Sequence, residues 1–171
     1  MLPVKIIGLG NPLYGDDGLG SCLARFLSQF NDFVIDGNAH GIALLGNLMD
    51  AHDLIFIDID TELKPGAVAL EKVEGELSIT DTTMLDAHRA SPSLLVGYLR
   101  AMKAFNGTAY VVAIGPGNTE PFKPVSNEAL NAVSAALKLL SELLSKYGLQ
   151  LRYEGDPKDA IIECYRDALG Y

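Results

Sequence analysis

Cysteine is scarce in this chain: Cys22 and Cys164 are its only two, with neither a CxxC pair nor a spaced metal-binding set. That pattern gives no support to a thiolate zinc site or a disulfide framework. Such usage fits a reducing cytosol. Cys22, one position before the apolar Leu23, reads as a small packed thiol and not a nucleophile. Cationic side chains are also few: 13 Lys and Arg stand against 22 Asp and Glu, for a net charge of -9. A nucleic-acid partner is disfavoured, because that affinity rests on Lys and Arg replacing counterions. Long apolar runs are missing as well, none approaching the ~18 residues of a membrane span. The start, Met1-Leu2-Pro3-Val4-Lys5, lacks a basic segment followed by an apolar stretch and a cleavage site. The expectation is a soluble cytoplasmic protein without a membrane partner. Repeats and low-complexity tracts are absent. What is present is 49% apolar content, in a length that suits one domain with one core.

The chain opens on Val4 to Leu9, a short β-branched-rich run that reads as a buried strand. It ends in Gly8-Leu9-Gly10-Asn11-Pro12-Leu13-Tyr14-Gly15-Asp16-Asp17-Gly18-Leu19-Gly20, a glycine-rich turn with two adjacent carboxylates. Leu19, Leu23, Phe26, Leu27 and Phe30 then share one face of a helix, with Asp16 or Asp17 placed to cap its N-terminus. Residues 33–36 read as a second strand, followed by a helix on the Ile42, Leu45, Met49 spacing. Leu54 to Asp60 reads as a third strand that ends in acid at Asp58. Thr61 to Gly66 is turn chemistry, and Ala67 to Lys72 reads as a strand returning in a hairpin, which makes one edge antiparallel. Residues 74–83 show no period. Beyond Asp86-Ala87-His88, Ser91 and Pro92 start a helix whose stripe is Leu95, Tyr98, Leu99 and Met102. Thr108 to Ile114 reads as the last strand. Ser126 caps a long helix on Leu130, Val133, Leu137, Leu140 and Leu144, stopped by Gly148.

Strands alternating with helices over short connections predict an α/β fold. The expected architecture is a three-layer sandwich with a mixed, mostly parallel, five-stranded twisted sheet and helices on both faces. The expected domain covers residues 1–148, and residues 149–171 form an extension with a short helix on Ile161, Tyr165 and Ala168. If the strands are parallel neighbours, Asp17, Asp58 and His88 meet at one sheet edge. Two carboxylates and an imidazole make a divalent-metal site of transition-metal character, suited to nickel or zinc. Singly, each has a plainer reading: Asp17 as a cap, Asp58 as a solvated strand-end acid, His88 as a surface loop residue. His40 and His52 read as structural or exposed, and Asp16 as a support for the turn.

The opening Gly8-Leu9-Gly10-Asn11-Pro12-Leu13-Tyr14-Gly15-Asp16-Asp17-Gly18-Leu19-Gly20 resembles the N-terminal signature of the hydrogenase maturation endopeptidases. The resemblance runs on through Asp36-Gly37, Leu44-Leu45-Gly46 and Gly115-Pro116 to the long helix, covering roughly residues 4 to 146. It implies a protease that removes a C-terminal peptide from the precursor of a nickel-iron hydrogenase large subunit after nickel insertion. It also implies that Asp17, Asp58 and His88 are the metal-binding and catalytic positions. The nickel would be supplied by the substrate's own site, with zinc or cadmium as surrogates in crystals. Two departures stand out. The family's Asp-Gly-Gly-Thr-x-Gly turn is Asp36-Gly37-Asn38-Ala39-His40-Gly41 here, and its Leu-Ser-Pro is Val125-Ser126-Asn127, which keeps the cap. The altered first turn bears on specificity and activity, and it admits an alternative: a chaperone that checks metal loading without cutting.

Two further readings compete. Gly8-Leu9-Gly10 with Asp36 imitates a dinucleotide fingerprint, but the third glycine is Leu13, and Asp16 and Asp17 would repel a pyrophosphate. Peptidyl-tRNA hydrolase also opens on Gly-Leu-Gly-Asn-Pro, but its next histidine-bearing stretch is missing and the acidic balance argues against tRNA.

Overall fold

A computed structural model of the chain describes residues 2–38, 41–75 and 91–171, without the side chains of 41 and 42. Five strands form one sheet: β1 (Leu2–Leu9), β2 (Val34–Asn38), β3 (Ala51–Ile59), β4 (Val68–Lys72) and β5 (Ala109–Ile114), in the order β2-β1-β3-β5-β4. β1 pairs in parallel with β2 and β3, β3 pairs in parallel with β5, and β4 runs antiparallel on the edge. The described helices are α1 (Leu19–Ser28), α2 (Leu45–Leu48), α3 (Pro92–Ala101), α4 (Asn127–Ser145) and α5 (Pro157–Leu169).

Strand side chains alternate between faces, and the core divides accordingly. On one face Val4, Ile6, Ile55, Ile57, Val112 and Ile114 pack with α1, α4 and α5. On the other, Ile7, Leu9, Leu54, Phe56, Val111 and Ala113 pack with α2 and α3. Continuous apolar runs in the strands are what burial on both faces requires. The expected mixed five-stranded sheet with helices on both faces is therefore the observed one. Among the described residues no helix is long and apolar enough to cross a membrane.

The predicted caps are in place: the Ser91 hydroxyl accepts from the Leu94 amide at 3.1 Å, and the Ser126 hydroxyl from the Ala129 amide at 3.1 Å. Other expectations change. β4 is antiparallel, but its partner is β5 and not β3, so residues 60–67 are a crossing and not a hairpin. Backbone bonds from Gly66 N to the Gly115 carbonyl and from Gly115 N to the Ala67 carbonyl, both 2.8 Å, fix that crossing against the end of β5. Met102 is half exposed, because α3 ends at Ala101. Ala168 is exposed too, and Cys164 takes its place beside Ile161 and Tyr165 in the core.

The two cysteines are bonded to each other. Cys22 and Cys164 form a disulfide with Cα atoms 5.8 Å apart, which overturns the expectation of a packed thiol. The pairing exists because α5 lies against α1 in the shared core, a contact between residues 142 apart in sequence that no local pattern announces.

Candidate active site

The site sits where the strand order reverses. β2 lies on one side of β1 and β3 on the other, so the segments leaving β1 and β3 diverge and leave a crevice at their carboxyl ends. α1 closes tightly on this edge. A Cβ at Gly20 would lie 2.3 Å from the Ile57 carbonyl oxygen and 2.7 Å from that of Leu9, which only glycine permits. Gly10, at φ +120°, turns the chain out of β1 in a conformation that L side chains rarely adopt.

Residues Gly15–Gly18 form a single 3-10 turn. Neither of its acids caps α1, whose N-cap position is Gly18 with no side-chain bond. Asp16 instead points into the protein and is fully buried. Its carboxylate accepts from the amides of Gly117 (2.6 Å), Asn118 (3.1 Å) and Ser126 (2.7 Å), and from the Ser126 hydroxyl (2.6 Å). A buried carboxylate is sustained only by such a set of donors. It ties the turn to the segment leading into α4. Asp17 points the other way, is partly exposed, and accepts from the Asn11 amide at 2.9 Å.

Asp58, the penultimate residue of β3, stands across the crevice from this turn. Burial pushes its carboxyl up to about 7; the bond from its neighbour's amide, Ile59 N to Oδ1 at 2.9 Å, acts in the opposite direction. The charges of Asp17, Asp60 and Glu71 add to the rise. Asp17 and Asp58 are thus near enough to feel each other, as the topology predicts. A cavity of about 380 Å³ opens beside Asp58, lined also by Asp60, Glu71, Glu74 and Ser91. Within it Asp60 and Glu71 share a hydrogen bond, which raises Glu71 to about 7 and lowers Asp60 below the usual carboxylate range.

His88, the third expected ligand, lies outside the described residues, as do Asp86 and His40. His88 is three positions before Ser91, which lines the cavity beside Asp58. Among the described residues no three His, Cys, Asp or Glu side chains are gathered as a metal cluster. The carboxylates present do fit a divalent cation, since its charge would relieve the mutual repulsion and desolvation that hold the Asp58 carboxyl near 7.

The dinucleotide alternative fails on occupancy of its acid. Asp36 accepts from the Ser21 hydroxyl at 2.6 Å, from Arg25 Nε at 3.1 Å and from the Asn38 amide at 2.9 Å, so its oxygens are committed within the protein. The Asp60–Glu71 pair was not foreseen. Its signal was present in the acid two residues beyond Asp58, but Glu71 reaches it only through the register of β4 on β5.

The fold is an α/β sandwich with two carboxylates, Asp17 and Asp58, near its switch point. Comparison with known proteins identifies its family. The hydrogenase maturation protease family profile matches residues 20–143, and the chain belongs to that family. A Methanocaldococcus jannaschii protein assigned by name to the hydrogenase maturation proteases is 32% identical over 149 residues, covering 80% of this chain and 93% of its own. The hydrogenase 2 maturation protease of Escherichia coli is 25% identical over 165 residues, covering 92% and 98%. The structure of the hydrogenase maturating endopeptidase HybD from E. coli shares the fold, with a TM-score of 0.68 at 22% identity, over 87% of this chain and 96% of that one. The chain is therefore an endopeptidase of hydrogenase maturation, a peptide hydrolase.

Proposed function

We propose that the enzyme removes a C-terminal peptide from the precursor of a nickel-iron hydrogenase large subunit, and that it acts on the nickel-loaded precursor. The observation that carries this reading is the pairing of Asp17 with Asp58 at the carboxyl ends of adjacent parallel strands. Asp17, Asp58 and His88 hold the metal, whose residence in the precursor's own site makes it part of the substrate. Bound there, nickel supplies Lewis-acid polarisation and a fixed point for docking the precursor. Asp17 presents its carboxylate from a turn locked behind it by Asp16. A carboxylate of the site left free of the metal would relay the proton of the attacking water. Zinc or cadmium would serve as surrogates for the same donor set.

Mass spectrometry of the precursor after incubation with the enzyme tests this. The nickel-loaded precursor loses the mass of its terminal peptide and the metal-free precursor does not. Asp17→Asn and His88→Ala each abolish the loss while circular dichroism stays that of the parent. Unimpaired cleavage by both variants would sink the assignment. A stable complex with the loaded precursor and no mass change would favour the alternative, a chaperone that inspects metal loading.

A further inference from the structure

The C-terminal helix α5 begins beyond the span that matches the family profile, yet it reaches the site. Tyr165 is fully buried, and its hydroxyl donates to the Gly15 carbonyl at 2.6 Å, across 150 residues of sequence. Gly15 opens the 3-10 turn that carries Asp16 and Asp17, and it does so at φ +57°, with its Cα face against Asn118. That carbonyl is held by an atom from the far end of the chain. Next to Tyr165, Cys164 is bonded to Cys22 of α1, the helix that the same turn leads into. The turn is thus gripped at three points: Asp16 in the 117–126 segment, α1 behind it, and Tyr165 beneath.

We propose that Tyr165 is a positioning residue for the cleavage reaction, fixing through Gly15 the turn from which Asp17 addresses the substrate. This rests on the reading above that Asp17 belongs to the site. The buried hydroxyl donates to the Gly15 carbonyl and is also hydrogen-bonded to the Gly18 backbone, so it meets the turn at both ends. Burial and the charges of Asp16 and Asp17 push the Tyr165 hydroxyl well above its usual range, so it remains a donor wherever the fold is stable. The disulfide holds α5 at the distance that the hydroxyl needs.

Tyr165→Phe keeps the ring that fills the core and removes only the donor. Ile161→Val, fully buried on the same helix and without a bond to the turn, is the control for mere loosening of α5. Two readouts are taken on the full chain. In amide hydrogen exchange, Tyr165→Phe accelerates Asn11 and Asp17, whose amides bond within the turn, about ten-fold beyond any change at Val112 in β5. Ile161→Val does not. In processing of the nickel-loaded precursor, Tyr165→Phe lowers kcat about ten-fold with KM unchanged, whereas Ile161→Val leaves kcat near the parent value. Exchange that is unchanged, or altered alike in both variants, overturns the proposal, as does an equal fall in kcat. If the parent binds the precursor without cutting it, the proposed function fails, and the exchange pattern still decides whether Tyr165 sets the turn.

Discussion

Asp16 and Asp17 are separated by one peptide bond and by most of the difference between inside and outside. Asp16 spends its carboxylate on four donors and is invisible to solvent, whereas Asp17 keeps partial exposure and its charge reaches Asp58. The turn needs the first acid so that the second stays in place. Glu71 shows the opposite balance, a carboxyl that keeps its proton because Asp60 accepts it. The native state then holds a proton on Glu71 up to about pH 7, while the unfolded chain loses it near the ordinary value of 4.5. Its stabilisation is complete below pH 4.5 and is lost as pH rises through about 7. Asp58 shifts in the same direction, and Asp60, lowered, acts only in acid. Gln at position 71 keeps a donor toward Asp60 at every pH. Urea unfolding should find Glu71→Gln close to the parent at pH 4.5 and more stable than it at pH 8. The same difference at both values would contradict the shared proton.

Among the elements, α5 carries the largest surprise. Its apolar spacing at Ile161 and Tyr165 announces a helix, and both residues are buried, but the face continues through Cys164 instead of Ala168. The disulfide closes a long loop between α1 and α5 and chiefly restricts the unfolded chain. Replacing both cysteines by serine should lower the unfolding free energy by about 3 kcal/mol, with the far-ultraviolet spectrum preserved because Ile161 and Tyr165 still fill the core. Equal urea midpoints for the parent and the double variant would show that the bond does not restrict the unfolded chain. Other elements were legible for physical reasons. Val4 to Leu9 and Leu54 to Ile57 are buried on both faces, so their apolar runs are continuous, and Ser91 and Ser126 sit where a cap must. The partner of β4 was not legible, because strand spacing in sequence says nothing of which edge a crossing reaches.

In the whole molecule, sheet order turns scattered residues into a site. Asp17 and Asp58 are 41 positions apart in the chain, and only the parallel pairing of β1 with β3 makes them neighbours. That pairing was readable from alternation of strands and helices. The part of Asp16 as a support for the turn was readable too, but its partners and the role of Tyr165 were not, since the contacts lie 110 and 150 residues away and depend on how loops and the tail fold back. The proposed cleavage requires Asp17 and Asp58 to act as one unit. A double-mutant cycle in single-turnover cleavage of the nickel-loaded precursor addresses this directly. Asp17→Asn and Asp58→Asn should each cost at least about 100-fold in rate, and the double variant no more than either alone. Losses that multiply, with each variant retaining its share of activity, would show that the two carboxylates act independently and contradict a shared site.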